Sequence, residues 1–154
     1  MEHSWIEIQN IPTKLITLGQ NVSQKPKKII LIIPGEHKSN INAKIPKCIL
    51  DIIFPLGNPG IASFYEDFMV SLKNQIDENY SIWTIAHSGQ EVPPDSMLPK
   101  ISENPKLFDL KAQIQYKIDF ISNYIDKNEQ EIFLIGHSIG CKMILGNIYI
   151  YIMN

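Results

Sequence analysis

The chain has 154 residues, a length that suits one domain or part of one. Apolar residues make up 44%, charged residues 19%, and the net charge is −2, which is ordinary globular composition without the basic excess of a nucleic-acid binder. Two cysteines, Cys48 and Cys141, are too few for a disulfide framework, and no CxxC or Cys/His cluster suggests a metal.

The opening residues, MEHSWIEIQN, hold no basic segment followed by an apolar core, so no signal peptide is expected. No apolar run reaches the ~20 residues that span a bilayer. The expected location is intracellular, without a transmembrane anchor. "WIEIQNIPTKLITLG" alternates apolar and polar residues around Asn10-Ile11-Pro12 and predicts two antiparallel strands. "IILIIPG" (residues 29–35) is a continuous apolar run ended by Pro-Gly, the pattern of a strand buried on both faces. In "GNPGIASFYEDFMVSLKNQI", Ser63 and Glu66 have capping-box spacing, and Phe64, Phe68, Leu72 and Ile76 predict the apolar face of a helix. "YSIWTIAH" (residues 80–87) is the next strand, and a long proline-broken polar loop follows. Asn104-Pro105 offers a helix start, with Leu110, Ile114, Ile118, Ile121 and Ile125 as the buried face. "EIFLIGHS" predicts another buried strand and "IGCKMIL" another helix. The order β-β-β-α-β-α-β-α implies a mostly parallel sheet covered by helices, with antiparallel first strands.

Gly136-His137-Ser138-Ile139-Gly140 falls between that last strand and helix. Gly-x-Ser-x-Gly alone is a weak signal, since small-residue turns are common. Its place after an apolar strand and before a helix is the context of a nucleophile elbow, and favours that reading over an ordinary serine-containing turn. Side chains at positions 136 and 140 would collide with the neighbouring strand and helix, which explains the glycines. The N–H of Ile139, at the helix N-terminus, faces the place where an oxyanion develops. His137 adjoins the serine in sequence, but neighbours on a sharp turn point apart, so a packing role beside the site is expected. His87 ends a strand on the same sheet edge; lining the pocket and capping the strand end are both open to it. His3 and His37 are expected in solvent, Cys141 in the core, and Cys48 without a partner.

"NPGIASFYEDF", "YSIWTIAHSGQ", "FDLKAQIQYKIDFI" and "IFLIGHSIGCKMIL" together resemble the lipid droplet-associated hydrolases, a branch of the α/β-hydrolase superfamily. The resemblance covers most of residues 29–145. It implies the N-terminal part of an α/β-hydrolase fold and a serine hydrolase of neutral-lipid esters, with cholesteryl esters the proposed class. It also implies residence on the lipid droplet and endoplasmic reticulum. Ser138 would be the nucleophile. The second oxyanion donor of this fold comes from the loop after the third strand, where Asn58 matches, because Pro59 has no N–H. No metal or organic cofactor and no nucleic-acid partner is implied.

Two departures accompany the resemblance. In the family "IIPG" runs directly into "NPG", whereas here residues 36–57 intervene. The family's acid and histidine follow the serine, yet this chain holds no Asp, Glu or His after Ser138. Gly35-Glu36 is encodable as GGT-GAG, a splice-donor sequence, and residues 54–57 as a pyrimidine tract ending in an AG acceptor. Residues 146–154 are likewise encodable from GGT-AAT onward. We therefore expect residues 36–57 to be a translated intron and 146–154 an atypical tail on a partial domain. The alternative is a genuine insertion serving as an apolar lid. At the level of function, the expectation is an enzyme family whose acid and base are absent from this chain. The competing reading is a non-catalytic lipid-droplet surface protein that keeps the fold.

Overall fold

A computed structural model of the chain describes residues 1–35, 60–91, 93 and 104–153. Residues 36–57, with Asn58, Pro59, His37 and Cys48, lie outside the described residues. The strands are β1 (Glu2–Ile8), β2 (Ile11–Leu18), β3 (Lys28–Ile33), β4 (Tyr80–Ile85) and β5 (Glu131–Gly136). The helices are α1 (Glu66–Lys73), α2 (Leu110–Tyr124) and α3 (Ile139–Met143). The last continues through a π turn (Ile144–Ile148) into α4 (Tyr149–Met153).

The strands form one sheet in the order β1-β2-β4-β3-β5. β1 and β2 pair antiparallel in register Ile8↔Ile11. Gln9 and Asn10 between them both have positive φ, the backbone of a two-residue hairpin turn whose twist matches its strands. β2 also runs antiparallel to β4, while β3 lies parallel between β4 and β5. The expected antiparallel start and parallel continuation are both present.

Side-chain alternation divides the core into two layers. Ile29, Leu31 and Ile33 of β3 join Trp83 and Ile85 of β4 in the layer under α2 and α3, against Tyr116, Phe120, Ile121 and Met143. Ile30 and Ile32 join Ile16 and Ile82 in the opposite layer, under α1, against Ala62 and Met69. This is why "IILII" reads as an unbroken apolar run: both faces of β3 are covered. Trp83 meets Phe120 edge-on, with centroids 6.3 Å apart, and its indole N–H donates to the Gln20 carbonyl at 2.8 Å. Truncating Phe120 to alanine would cost about 3–5 kcal/mol.

Several local expectations are corrected. The Ser63–Glu66 capping box does not form. Residues Ala62–Tyr65 make a 3-10 turn with no side-chain cap, and the Ser63 hydroxyl instead accepts from Lys14 Nζ at 2.6 Å. The predicted apolar face of α1 is rotated: Phe64 and Phe68 are exposed, and Met69 is buried with Tyr65, Leu72 and Ile76 beside it. α2 begins at Leu110, where Asp109 accepts from the Ala112 N–H at 2.9 Å; Pro105 opens only a short 3-10 turn. Of the expected face, Ile121 and Ile125 are buried in the core and Leu110, Ile114 and Ile118 pack partly buried against it, while Gln113, Tyr116, Lys117 and Phe120, not expected there, are buried as well. β5 is not buried on both faces. Among the described residues it pairs only with β3, and Phe133 remains 41% exposed. Cys141 is exposed rather than in the core, its thiol donating to the Gly136 carbonyl at 3.0 Å.

Candidate active site

All three parallel strands end on one edge, with Ile33 level with Gly136 and Ile32 level with Thr84. The chain leaves β3 for β4 on one side and returns to β5 on the other. β3 is therefore a topological switch point, the place where open α/β sheets hold ligands.

Ser138 sits at that edge between β5 and α3, with φ 52° and ψ −117°. A β-carbon-bearing residue at such a φ is strained, and strain of this kind costs on the order of 1–3 kcal/mol. The neighbouring glycines make the turn sterically possible. A Cβ at Gly136 would lie 2.7 Å from the Cys141 nitrogen, and one at Gly140 would run into the Ile33 carbonyl oxygen. The steric reason expected for these glycines is the one found. Ser138 itself is exposed. The amides of Gly140 and Cys141 donate to the carbonyls of His137 and Ser138 at 2.8 and 3.1 Å. The Ile139 N–H, at the first helical position, has no intrahelical acceptor.

His137 turns away from the serine. Its Nδ1 lies 2.9 Å from the Tyr65 hydroxyl, and the two rings meet edge-on. The packing role expected for His137 fits this contact. His87 lies just past β4, buried, with neither ring nitrogen hydrogen-bonded among the described residues. Its ring packs against Gly60, and its backbone N–H donates to the Gly60 carbonyl at 3.0 Å. Burial, and secondarily the nearby Lys117 ammonium, hold the His87 imidazole neutral well below its usual range. His3 is largely exposed, 3.6 Å from Glu66. Among the described residues, no imidazole reaches Ser138.

Sequence periodicity missed a polar clamp behind this edge. Gln113 and Lys117, one turn apart on α2, both face the end of β4. The Gln113 side-chain amide accepts from the Ser88 N–H and donates to the Ser88 carbonyl, each at 2.9 Å. Lys117 Nζ donates to the Ala86 carbonyl at 2.6 Å, and complete burial lowers its pKa to about 7. Together they fix residues 86–88 and so the seat of His87. Glu91 adds a second tie, accepting from Lys14 Nζ and from the Ala62 N–H, each at 2.8 Å. The aromatic series Tyr116, Phe120 and Tyr124, at four-residue spacing, was the available signal that α2 packs in this register.

The model of the family "Lipid-droplet associated hydrolase" matches residues 48–149. A lipid droplet-associated hydrolase of Drosophila melanogaster is 32% identical over 150 residues, covering 94% of this chain and 41% of that protein. Those of Gallus gallus and Homo sapiens are 34% and 33% identical, and the chain spans 35% and 32% of their lengths. The chain thus spans well under half of these relatives. Among solved structures, epoxide hydrolase A from Mycobacterium thermoresistibile superposes with a TM-score of 0.55 at 11% identity, covering 93% of this chain and 33% of that one. The epoxide hydrolase VrEH1 from Vigna radiata gives 0.55 at 13% identity, covering 92% of this chain and 32% of that one. At such identities these two speak for the fold alone. The chain has an α/β-hydrolase fold and belongs to the lipid droplet-associated hydrolase family.

Proposed function

We propose that this chain is the nucleophile-bearing part of a serine hydrolase that cleaves carboxylic esters of neutral lipids, cholesteryl esters among them. The observation that carries the reading is the backbone of Ser138: a positive φ at a strand–helix turn, between glycines that the packing requires. In the complete enzyme, a histidine outside this chain, oriented by a carboxylate, takes the Ser138 proton as Oγ attacks the ester carbonyl. The N–H groups of Ile139 and Asn58 receive the tetrahedral oxyanion. The same histidine protonates the departing alkoxide, and water then hydrolyses the acyl-serine. His87 and His137 line the approach to the site without touching the transferred proton. The reaction so drawn needs no metal or organic cofactor. The family name of the relatives supports a lipid-droplet surface as the working location, and we extend this to the adjoining endoplasmic reticulum.

We propose further that the chain by itself is inactive, a reading supported by the lack of an imidazole within reach of the serine among the described residues. That same observation supports a second reading, a droplet-surface protein that keeps the fold without the chemistry. A fluorophosphonate probe separates the two. The full-length protein should be labelled at Ser138, located by peptide mass spectrometry, and the Ser138→Ala variant should not. A full-length wild type that resists labelling favours the surface protein.

A further inference from the structure

His87 stands between two anchored residues at the end of β4. Ala86 is held from both sides: its N–H donates to the Lys14 carbonyl of β2 at 2.9 Å, and its carbonyl accepts from Lys117 Nζ of α2 at 2.6 Å. Ser88 is held in the same way, by the Gln113 amide of α2 and by the Thr13 hydroxyl of β2, which lies 3.0 Å from its own. With both neighbours fixed, the place of His87 is fixed as well. Its ring is buried, and among the described residues neither nitrogen has a hydrogen-bond partner, so the contacts it makes there are those of its shape.

What the ring meets is Gly60, whose φ is 77°. A Cβ on Gly60 would run into His87 Cδ2 and lie 2.8 Å from its Cγ. Backbone bonds extend the contact towards the serine. The His87 N–H donates to the Gly60 carbonyl at 3.0 Å, and the Gly60 N–H donates to the Gly35 carbonyl at 2.9 Å. Gly35 in turn is pressed against the serine turn: a Cβ there would lie 2.9 Å from Ser138 Cβ and 3.0 Å from the His137 carbonyl oxygen. A continuous line of contact thus runs from the end of β4, across the end of β3, to Ser138.

We propose that His87 is a positioning residue, whose ring, seated on Gly60, holds Gly35 against the Ser138 turn. The proposal rests on reading Ser138 as the nucleophile, and it gives the imidazole no part in proton transfer. A backbone as strained as that of Ser138 persists only where its surroundings hold it. Close-packed interiors transmit displacement, so removing the ring lets Gly60 and Gly35 settle away from the turn. A misplacement of about 1 Å at the reacting atom can cost about 100-fold in rate. Gly35 is also held from the α1 side, its N–H donating to the Tyr65 hydroxyl at 2.9 Å, so losing the ring should weaken activity rather than abolish it.

The test compares His87→Ala with His87→Phe in the full-length protein, with a short-chain ester as substrate. Alanine removes the ring and should lower kcat about 10- to 100-fold with KM little changed, because a displaced nucleophile acts on the transition state. Phosphonylation of Ser138 by a fluorophosphonate should slow in parallel. Phenylalanine keeps a flat ring without the nitrogens and should restore most of both rates. Gly60→Ala disturbs the same contact from the other side, so the two alanine losses in kcat should combine less than additively in the double variant. A wild type labelled at Ser138, with His87→Ala equal to it in both rates, overturns the positioning role. So does a phenylalanine variant as slow as the alanine one, a loss confined to KM, or fully additive losses. Where the variants do not fold, residue-resolved amide exchange of the wild type decides: the His87 and Gly60 amides should be protected, and exchange as fast as in an unfolded chain overturns the proposal. A wild type that is not labelled at all fails the nucleophile reading, and the positioning role falls with it; fast exchange in a labelled wild type overturns the role alone.

Discussion

The amide of Gly60 donates to the carbonyl of Gly35 at 2.9 Å, although residues 36–59 lie between them in the chain. Removing residues 36–57 would leave Gly35-Asn58-Pro59-Gly60, the four-residue span that a β-turn closes with a bond from the first carbonyl to the fourth amide. The bond that such a turn needs is already made. Shortening the connection also lowers its closure entropy by roughly 2 kcal/mol, since each halving contributes about 0.6 kcal/mol. We expect the chain lacking residues 36–57 to resist limited proteolysis better than the chain as given, and the spliced cDNA to lack those codons. A mature message that retains them would sink the intron account. Protease resistance of residues 36–57 while the rest is cut would mark them as an integral element.

Among the described residues β5 has one partner and one open side. Beside it lies an apolar groove of about 540 Å³ formed by Ile30, Ile76, Tyr80, Phe133 and Ile135. On the helix that follows, Leu145 is 77% exposed, with Tyr149, Ile150 and Met153 also in solvent. An open apolar edge is a template for strand addition. The chain as given should therefore oligomerise or precipitate, as read by sedimentation velocity. Phe133→Lys together with Leu145→Lys should shift it towards monomer. A wild-type chain that sediments as one monomeric species and melts cooperatively contradicts this.

Lys117 makes stability depend on pH in a definite direction. Its amine has a pKa of about 7 when folded and its ordinary value of 10.5 when released. Between these values the unfolded chain binds the extra proton, so stability rises with pH across that window and levels off above it. Below pH 7 both states are protonated and the cost of the buried charge is complete, on the order of 5 kcal/mol before the Ala86 hydrogen bond offsets part of it. His87 adds to the slope on the acid side: its folded pKa is depressed, so stability falls as the pH drops below about 6.5. Urea unfolding of the full-length protein should give a midpoint that climbs from pH 7 to 10. Lys117→Met should flatten that climb while leaving the acid-side loss; an unchanged slope in the variant refutes the assignment.

What the sequence made legible was local. The hairpin, the doubly covered β3 and the serine turn each follow from a short run of residues read with its immediate flanks. Gly136 could be explained in advance because the clash it avoids, with Cys141, arises within the turn, and Gly140 because a strand–turn–helix of this kind sets it against the neighbouring strand, here at Ile33. The helix faces were legible in type but not in register. α1 carries a second apolar series through Tyr65 and Met69, which packing selects over Phe64 and Phe68, and α2 carries one through Tyr116 and Phe120, which packing buries alongside Ile121 and Ile125. Gln113, Lys117 and Tyr65 escaped notice because their partners are backbone atoms of Ser88, Ala86 and Gly35, brought near only by the fold. Cys141 was misplaced because a helix following a central strand is expected to be covered, and this one is open on that side.

The last prediction concerns turnover. An unassisted serine hydroxyl is a weak nucleophile, and general-base action is typically worth about 10²–10⁴-fold. Among the described residues the nearby bases are engaged elsewhere or too remote: His137 faces Tyr65, His87 is buried against Gly60, and Lys142 is exposed on the next turn of helix. Ester hydrolysis by the chain as given should therefore equal that of its Ser138→Ala variant. A chain without residues 36–57, continued by the family's C-terminal part, regains a histidine and a carboxylate. That protein should hydrolyse a short-chain or cholesteryl ester and lose the activity on Ser138→Ala. Ile139 is expected to donate through its backbone, so Ile139→Ala should retain most of the activity, whereas Ile139→Pro removes the N–H and should cost roughly 2.7–4 kcal/mol of transition-state stabilisation. Equal rates for the continued wild type and its Ser138→Ala form would mean that any cleavage is incidental, and would leave the droplet-surface protein as the better account.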